Sequence, residues 1–234
     1  QALLKADPQS LEARFRLGLL ELSAKNYPAA EQVFRQCRAD SKGEVLCDIG
    51  LAEVYSAQKQ FDKASAILKE QLAKSPDRRD LLMALGNTSV LAERYDQAVE
   101  VFKQMLAKEP DSPDLNLRLA ETQRRMGNIP QAIEGFRKVK QLQPNNPDAA
   151  IWLALLLHAT GREADAKTEY EQILRLQSDN AIALNNLAYV IAEQGGDLDV
   201  ALTYAQRAKQ KAPNSLEVAD TLGWIYLKKN LRSN

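Results

Sequence analysis

The sequence has little of the side-chain chemistry that most catalytic and metal-binding sites need. It contains one histidine, His158, and two cysteines, Cys37 and Cys47, among 234 residues. These are too few for a disulfide framework or for a zinc site built from Cys and His. No nucleophile stands at a spacing that would pair it with a base, and no glycine-rich phosphate loop occurs. We therefore expect no enzymatic activity, no metal and no cofactor.

The chain also lacks an excess of charge and long apolar runs. Lysine and arginine together number 31, and aspartate and glutamate together also number 31. The basic field that supports non-specific binding to nucleic acid is therefore missing. No apolar run approaches the roughly 20 residues that a membrane-spanning helix needs. These two absences argue against a nucleic-acid partner and against direct insertion into a membrane.

What the sequence has instead is an internal repeat with a period of 34 residues. A leucine followed by a glycine or alanine recurs at this spacing, with a last step of 35, at Leu17, Leu51, Leu85, Leu119, Leu153, Leu187 and Leu222. A row of alanines follows the same register: Ala30, Ala64, Ala98, Ala132, Ala166 and Ala201. A third row, four residues later, is mostly aromatic: Phe34, Leu68, Phe102, Phe136, Tyr170 and Ala205. A fixed period of this length is typical of proteins built from stacked repeats.

Each repeat has the pattern of a helix, a turn and a second helix. Apolar residues at steps of three and four predict a helix A over about 79–93 and a helix B over about 95–108 in the third repeat. Ser112, Pro113 and Asp114 form the cap, first turn and acidic start of another helix A. One such helix pair cannot bury its own apolar face, so neighbouring repeats must cover it. The sequence therefore predicts an all-α stack.

These rows resemble the tetratricopeptide-repeat (TPR) family, whose pattern is a Leu-Gly/Ala pair in helix A, an alanine and an aromatic residue in helix B, and a closing proline. The resemblance covers essentially the whole chain. It implies a right-handed α-solenoid of antiparallel helix pairs, continuous from end to end. The repeats are expected at 10–44, 45–78, 79–112, 113–146, 147–180 and 181–215, with the end of a preceding repeat at 1–9 and the first helix of a seventh at 216–234. The sixth repeat carries a one-residue insertion at Gly195-Gly196.

Two features of the resemblance bear on the setting of the protein. The stretch 183–230 looks like a variety common in bacterial TPR proteins that serve envelope assembly, polysaccharide export or secretion. Both ends of the sequence fall inside repeats, so we expect a fragment of a longer protein. The alternative is that the last helix caps a complete array.

In TPR proteins the A helices line a concave groove that binds a partner segment. The resemblance therefore implies groove contacts at Asn87, Arg118, Glu121, Arg125, Trp152, Leu155, His158, Asn185, Asn186 and Tyr189. Asparagine amides can hold a peptide backbone, aromatic rings can anchor a side chain, and arginines can bind a carboxylate. The alternative is that these are ordinary polar residues of an exposed face. A clamp for the chaperone C-terminus is not expected, because its lysine position holds no lysine in any repeat.

The two cysteines allow a cross-link between repeats. Cys37 falls near the end of helix B in the first repeat, and Cys47 falls early in helix A of the second. These segments are expected to be antiparallel neighbours, so the sulfurs could meet. A disulfide would imply an oxidising compartment and would favour the periplasm or envelope over the cytoplasm. The alternative is two small apolar residues in the interface between repeats.

The leading hypothesis is a non-catalytic scaffold that binds a protein or peptide segment in the groove, within a bacterial envelope, polysaccharide-export or secretion system. A second hypothesis is a regulatory or substrate-recruiting TPR region of a larger enzyme, such as a glycosyltransferase. A third, RNA binding, conflicts with the zero net charge. The sequence leaves the oligomeric state open.

Overall fold

The computed structural model describes residues 10–40 and 45–233. Thirteen α-helices and no strand occur within these residues, which confirms the all-α class. The helices are α1 Leu11–Ser23, α2 Tyr27–Asp40, α3 Val45–Ala57, α4 Phe61–Lys74, α5 Arg79–Leu91, α6 Tyr95–Leu106, α7 Pro113–Arg125, α8 Ile129–Leu142, α9 Pro147–Ala159, α10 Glu163–Leu176, α11 Ala181–Glu193, α12 Leu198–Lys211 and α13 Leu216–Ser233. Odd-numbered helices correspond to helix A and even-numbered helices to helix B. The expected end of a preceding repeat, at 1–9, lies outside the described residues.

The chain divides into two compact units, unit 1 (Gln1–Gly127) and unit 2 (Asn128–Asn234). Within each unit, a helix packs against the next one along the chain. Helices A also pack side by side, α1 with α3 and α3 with α5 in unit 1, and α11 with α13 in unit 2. The boundaries of the repeats and the continuity of the array stay predictions.

The turn from helix A to helix B contains a residue in the left-handed backbone region in every pair. These residues have φ between 58° and 81° and follow the 34-residue register: Lys25, Lys59, Glu93, Gly127, Gly161 and Gly195. After Lys25, Lys59, Glu93, Gly161 and Gly195, the next residue donates its backbone N–H to the carbonyl five positions earlier, as Gln60 does to Tyr55 at 2.8 Å. This bond satisfies a carbonyl at the helix end that would otherwise lack a partner. The left-handed residue therefore ends each helix A.

The turn between α11 and α12 is one residue longer than the other five, four residues against three. The extra length gives α12 an N-cap, because the Asp197 side chain accepts hydrogen bonds from the backbone N–H groups of Asp199 and Val200. The residues in the same place before α4, α6, α8 and α10 make no such side-chain bond.

The aromatic row packs into slots left by small residues. In unit 1 the Phe34 ring is fully buried, and a Cβ atom on Gly18 would lie 2.5 Å from its Cζ atom. A Cβ atom on Gly86 would lie 2.6 Å from Cε1 of Phe102. Real Cβ atoms do not approach ring carbons this closely, so glycine is what admits these rings between helices.

Candidate functional site

Most of the sequence-predicted positions lie on the exposed faces of the A helices. On α3 nearly every side chain is buried, and the surface residues that remain are Leu46, Ile49, Glu53 and Ala57. Their steps of three and four residues place them along one side of the helix. We call this surface, with the residues in the same register on neighbouring A helices, the helix-A face. On α5 it contains Asn87.

A concavity of about 260 Å³ lies on the helix-A face of unit 1, between α5 and α7. It is lined by Asn87, Val90, Leu91, Phe102, Arg118, Glu121, Thr122 and Arg125. We call it the Asn87–Arg125 concavity. It brings together all four of the candidate residues that the sequence placed in the third and fourth repeats.

One arginine of the Asn87–Arg125 concavity is held in a fixed orientation. Arg118 donates from Nη1 to Oδ1 of Asn87 at 2.9 Å, and its Nε pairs with Oδ1 of Asp114 at 3.1 Å. The side chains of Glu121 and Arg125, by contrast, make no hydrogen bond or ion pair with any described residue. The concavity thus combines an oriented guanidinium with one negative and one positive charge that have no partner in the described chain.

Glu53 is a residue that the candidate set omitted. It lies exposed on α3 at the register position of Asn87, and its side chain makes no hydrogen bond or ion pair with any described residue. Although solvent reaches the side chain, the surrounding protein partly desolvates the carboxyl group, and this burial raises the pKa of Glu53. The feature of the sequence that could have identified Glu53 is that it is the single carboxylate among the apolar surface residues of α3.

Unit 2 presents an aromatic surface on α9 and α11. The ring of His158 lies 5.6 Å from the ring of Tyr189 and meets the ring of Tyr170 edge-on at 6.3 Å, measured between centroids. Tyr189 is 36% exposed, whereas Tyr170 is fully buried. Trp152 and Leu155 are half-buried on α9. The predicted aromatic positions of the fifth and sixth repeats therefore lie on adjacent exposed faces.

The two adjacent asparagines of α11 differ in their surroundings. Asn186 donates from Nδ2 to the carbonyl of Ile182 at 2.8 Å, within its own helix. Asn185 is only 8% exposed, and its Oδ1 atom has no hydrogen-bond partner in the described part of the chain. An amide in this position lies beneath the surface of the helix-A face. A contact between either residue and a partner stays a prediction.

Cys37 and Cys47 join α2 to α3. Their sulfurs are 1.99 Å apart, and both residues are buried. Beside them, Nε of Arg38 lies 2.7 Å from Oδ1 of the buried Asp48, and Arg38 also reaches Glu70 on α4 at 3.2 Å. Burial raises the pKa of the Asp48 carboxyl, and the positive charge of Arg38 opposes that rise. Formation of the bond in the protein's own compartment is a prediction.

Two features are absent from residues 10–40 and 45–233. No group of three or more His, Cys, Asp or Glu side chains there could hold a metal ion. No helix in that part of the chain is both long enough and apolar enough to cross a membrane.

Two protein-family profiles match this chain. One family profile described as tetratricopeptide repeat matches residues 21–87 and 89–141. A second profile with the same description matches residues 117–166 and 164–215. Together they account for most of the chain. No curated protein matches it significantly.

Similar solved structures share the fold at low sequence identity. A structure described as a functional characterization of PilF from Pseudomonas aeruginosa has a TM-score of 0.70 and 23% identity, covering 90% of this chain and 95% of that one. YrrB, described as a TPR protein with an unusual peptide-binding site, has a TM-score of 0.64 and 18% identity, covering 80% of this chain and 96% of its own. The Cut9–Hcn1 hetero-tetramer of the APC/C gives a TM-score of 0.65 and 16% identity, covering 96% of this chain and 44% of that one.

Proposed function

Because the chain belongs to the tetratricopeptide-repeat family, we propose that it is a non-catalytic scaffold that holds a segment of a partner protein against its helix-A face. Members of repeat families of this kind use the surface created by their stacked helices for binding. Scaffolding requires no catalytic group, no metal and no cofactor.

The observation that carries this proposal is the Asn87–Arg125 concavity. Asn87 and Asp114 hold Arg118, so its guanidinium loses little freedom when it binds a ligand. Glu121 and Arg125 have charges without partners in the described chain, and Leu91, 59% exposed, supplies apolar contact area. An extended segment can satisfy the charges with its side chains and backbone while it covers the leucine.

Two of the similar structures support a protein or peptide ligand. YrrB is described as having a peptide-binding site, and Cut9 forms a complex with Hcn1. We extend this to the present chain as part of the proposal.

We place the scaffold in a bacterial envelope assembly, polysaccharide-export or secretion system. The likeness of its fold to PilF of a bacterium supports a bacterial setting. The pairing of Cys37 with Cys47 supports an oxidising compartment such as the periplasm.

The proposal can be tested with peptides selected from a random dodecapeptide display library. The affinity of each selected peptide is measured by fluorescence anisotropy against the unaltered protein and two variants. Arg125→Glu changes the helix-A face of unit 1, and Trp152→Ala changes that of unit 2. We expect at least one of these variants to weaken a selected peptide about tenfold or more, since a lost charge-assisted bond or aromatic anchor is worth roughly 1.5–3 kcal/mol.

A matched control is Lys103→Glu. Lys103 is an exposed basic residue on α6, a helix B, and its side chain makes no hydrogen bond or ion pair with any described residue. It should leave affinity unchanged, and all variants should keep their circular dichroism spectra. Peptides that bind both helix-A variants at full strength, or lose affinity with Lys103→Glu instead, would place binding elsewhere.

A further inference from the structure

On α1 and α3, the helix-A face of unit 1 is an apolar surface that contains the partnerless carboxylate of Glu53. Phe15, Ile49 and Met83 stand at the same register position on α1, α3 and α5, and each packs against the unit 1 core while staying partly exposed. One turn further along, the register positions are Leu19, Glu53 and Asn87, followed on α7 by Glu121. Glu53 is therefore bordered along its own helix and on α1 by apolar residues.

Three arginines on or beside this face already pair with other carboxylates, whereas Arg125, which has no partner in the described chain, lies on α7, two A helices away from Glu53. Arg16 on α1 pairs with Glu12 at 2.6 Å, and Arg118 on α7 pairs with Asp114. Before α5, Arg78 pairs with Asp80 at 2.9 Å. Glu53 has no partner of this kind among the described residues.

A carboxylate without a partner in a partly desolvated place is unfavourable, because it loses hydration and gains no hydrogen bond in return. The raised pKa of Glu53, caused by burial, is the sign of that loss. A cation brought by a ligand would supply the missing interaction in surroundings where solvent screens it less than on an open surface. In the free protein, the Glu53 carboxylate is thus available to bind a positively charged group of a ligand.

On the basis of the function proposed above, we propose that the partner segment bound to unit 1 carries a lysine or arginine whose side chain pairs with Glu53. The flanking residues of that segment are apolar, since they lie on Phe15, Leu19, Ile49 and Met83. The chemistry of the site decides between ligand classes. A polyanion such as nucleic acid would be repelled by Glu53, and one carboxylate is too few ligands for a metal ion.

The test uses the same random dodecapeptide library, selected in parallel on three proteins. The unaltered protein and a Glu53→Gln variant are compared with a Glu100→Gln control. Glu100 is exposed on α6, and its side chain makes no hydrogen bond or ion pair with any described residue. We expect enrichment of lysine or arginine, next to apolar residues, in peptides selected on the unaltered protein and on Glu100→Gln. The enrichment should disappear on Glu53→Gln.

A double-mutant cycle on one selected peptide locates the contact. Replacing the enriched basic residue of the peptide by glutamine, or Glu53 by glutamine, should each weaken binding about tenfold, and the two changes together should cost little more than one. The carboxyl carbon of Glu53, followed by NMR, should titrate at a lower pH in the complex than in the free protein.

The inference and the proposed function fail in different ways. Peptides that lose affinity with Arg125→Glu but bind Glu53→Gln at full strength would overturn the inference and leave the scaffold function standing. Selected peptides without basic enrichment, or with the same enrichment on Glu53→Gln, would also overturn it. If no peptide is selected on any of the three proteins, the proposed function fails together with the inference.

Discussion

The ring of Phe34 occupies the space that a side chain on Gly50 would need. A Cβ atom on Gly50 would lie 2.3 Å from Cε1 of Phe34. Because Gly18 on α1 faces the same ring, Phe34 of α2 fills a slot between two successive A helices. The packing of one repeat on the next in this part of unit 1 therefore depends on glycines on both sides of a single aromatic residue.

Gly50→Ala should destabilise the protein. The added methyl group must displace a fully buried ring, and overpacking of this kind costs about 1–3 kcal/mol. The free energy of unfolding, measured by urea denaturation followed by circular dichroism, should fall accordingly. Gly223→Ala is the matched control, because no atom lies within 4 Å of the position of its Cβ. Alanine there should stabilise α13 by up to about 1 kcal/mol. Changes of the same sign in both variants would contradict this account of the slot.

Lys59→Gly should raise the free energy of unfolding. Lys59 has φ of 59°, a backbone conformation that costs a residue with a side chain roughly 1 kcal/mol and costs glycine almost nothing. The reverse change is Gly161→Ala, where φ is 73° and no atom lies within 4 Å of the added Cβ. It should destabilise by about 1 kcal/mol, through backbone strain alone. If both variants matched the unaltered protein in urea denaturation, the left-handed turns would not be under strain.

The helices could be predicted from sequence because the same spacing of apolar residues recurs in each repeat. Their ends were least predictable where the residue at the turn differs between repeats. The expected helix A at 79–93 ends at Leu91, because Glu93 adopts the left-handed conformation with φ of 58°. In the later repeats glycine occupies this position and indicates the end of helix A, whereas glutamate in the same position does not. The expected helix B at 95–108 ends at Leu106. A tighter turn follows, in which the backbone N–H of Lys108 donates to the carbonyl of Met105, three positions earlier, at 3.0 Å.

Tyr170→Phe should stabilise unit 2. The residue is fully buried, and its hydroxyl has no hydrogen-bond partner in the described chain. A buried hydroxyl without a partner costs about 1–3 kcal/mol, so its removal should raise the free energy of unfolding by about 1 kcal/mol. Phe136→Tyr is the matched reverse change, since Phe136 is the fully buried aromatic residue of the preceding repeat. It should lower the thermal midpoint, and a drop in that midpoint for Tyr170→Phe would reveal a hydrogen bond that the hydroxyl does make.

The helix-A face was only partly predictable. The register identified Asn87, Arg118, Glu121 and Arg125, and these do line one concavity. The same register selected Asn185, whose side chain is buried, because spacing gives the direction of a residue but not the depth to which neighbouring helices cover it. Glu53 was not selected, because the lack of a partner for its charge is a property of the folded structure.

The cross-link between Cys37 and Cys47 should contribute to stability under oxidising conditions. Closing a loop of this length, with a sequence separation of 10, is expected to be worth about 2–3 kcal/mol. A Cys37→Ser/Cys47→Ser double variant should lose that amount of unfolding free energy. A reducing agent should lower the stability of the unaltered protein but not that of the double variant. Thiol titration of the unfolded, unreduced protein should find no reactive thiol. Two reactive thiols would show that the bond does not form and would remove its support for an oxidising compartment.

The central claim, that a partner segment lies on the helix-A face, is tested most directly by site-specific photo-cross-linking. Leu91 in the Asn87–Arg125 concavity and Glu100 on α6 are each replaced by p-benzoylphenylalanine, and both proteins are irradiated with a peptide that loses affinity with Arg125→Glu. Mass spectrometry then locates the products. The peptide should be cross-linked at position 91 and not at position 100. Cross-linking at position 100 alone would contradict the central claim.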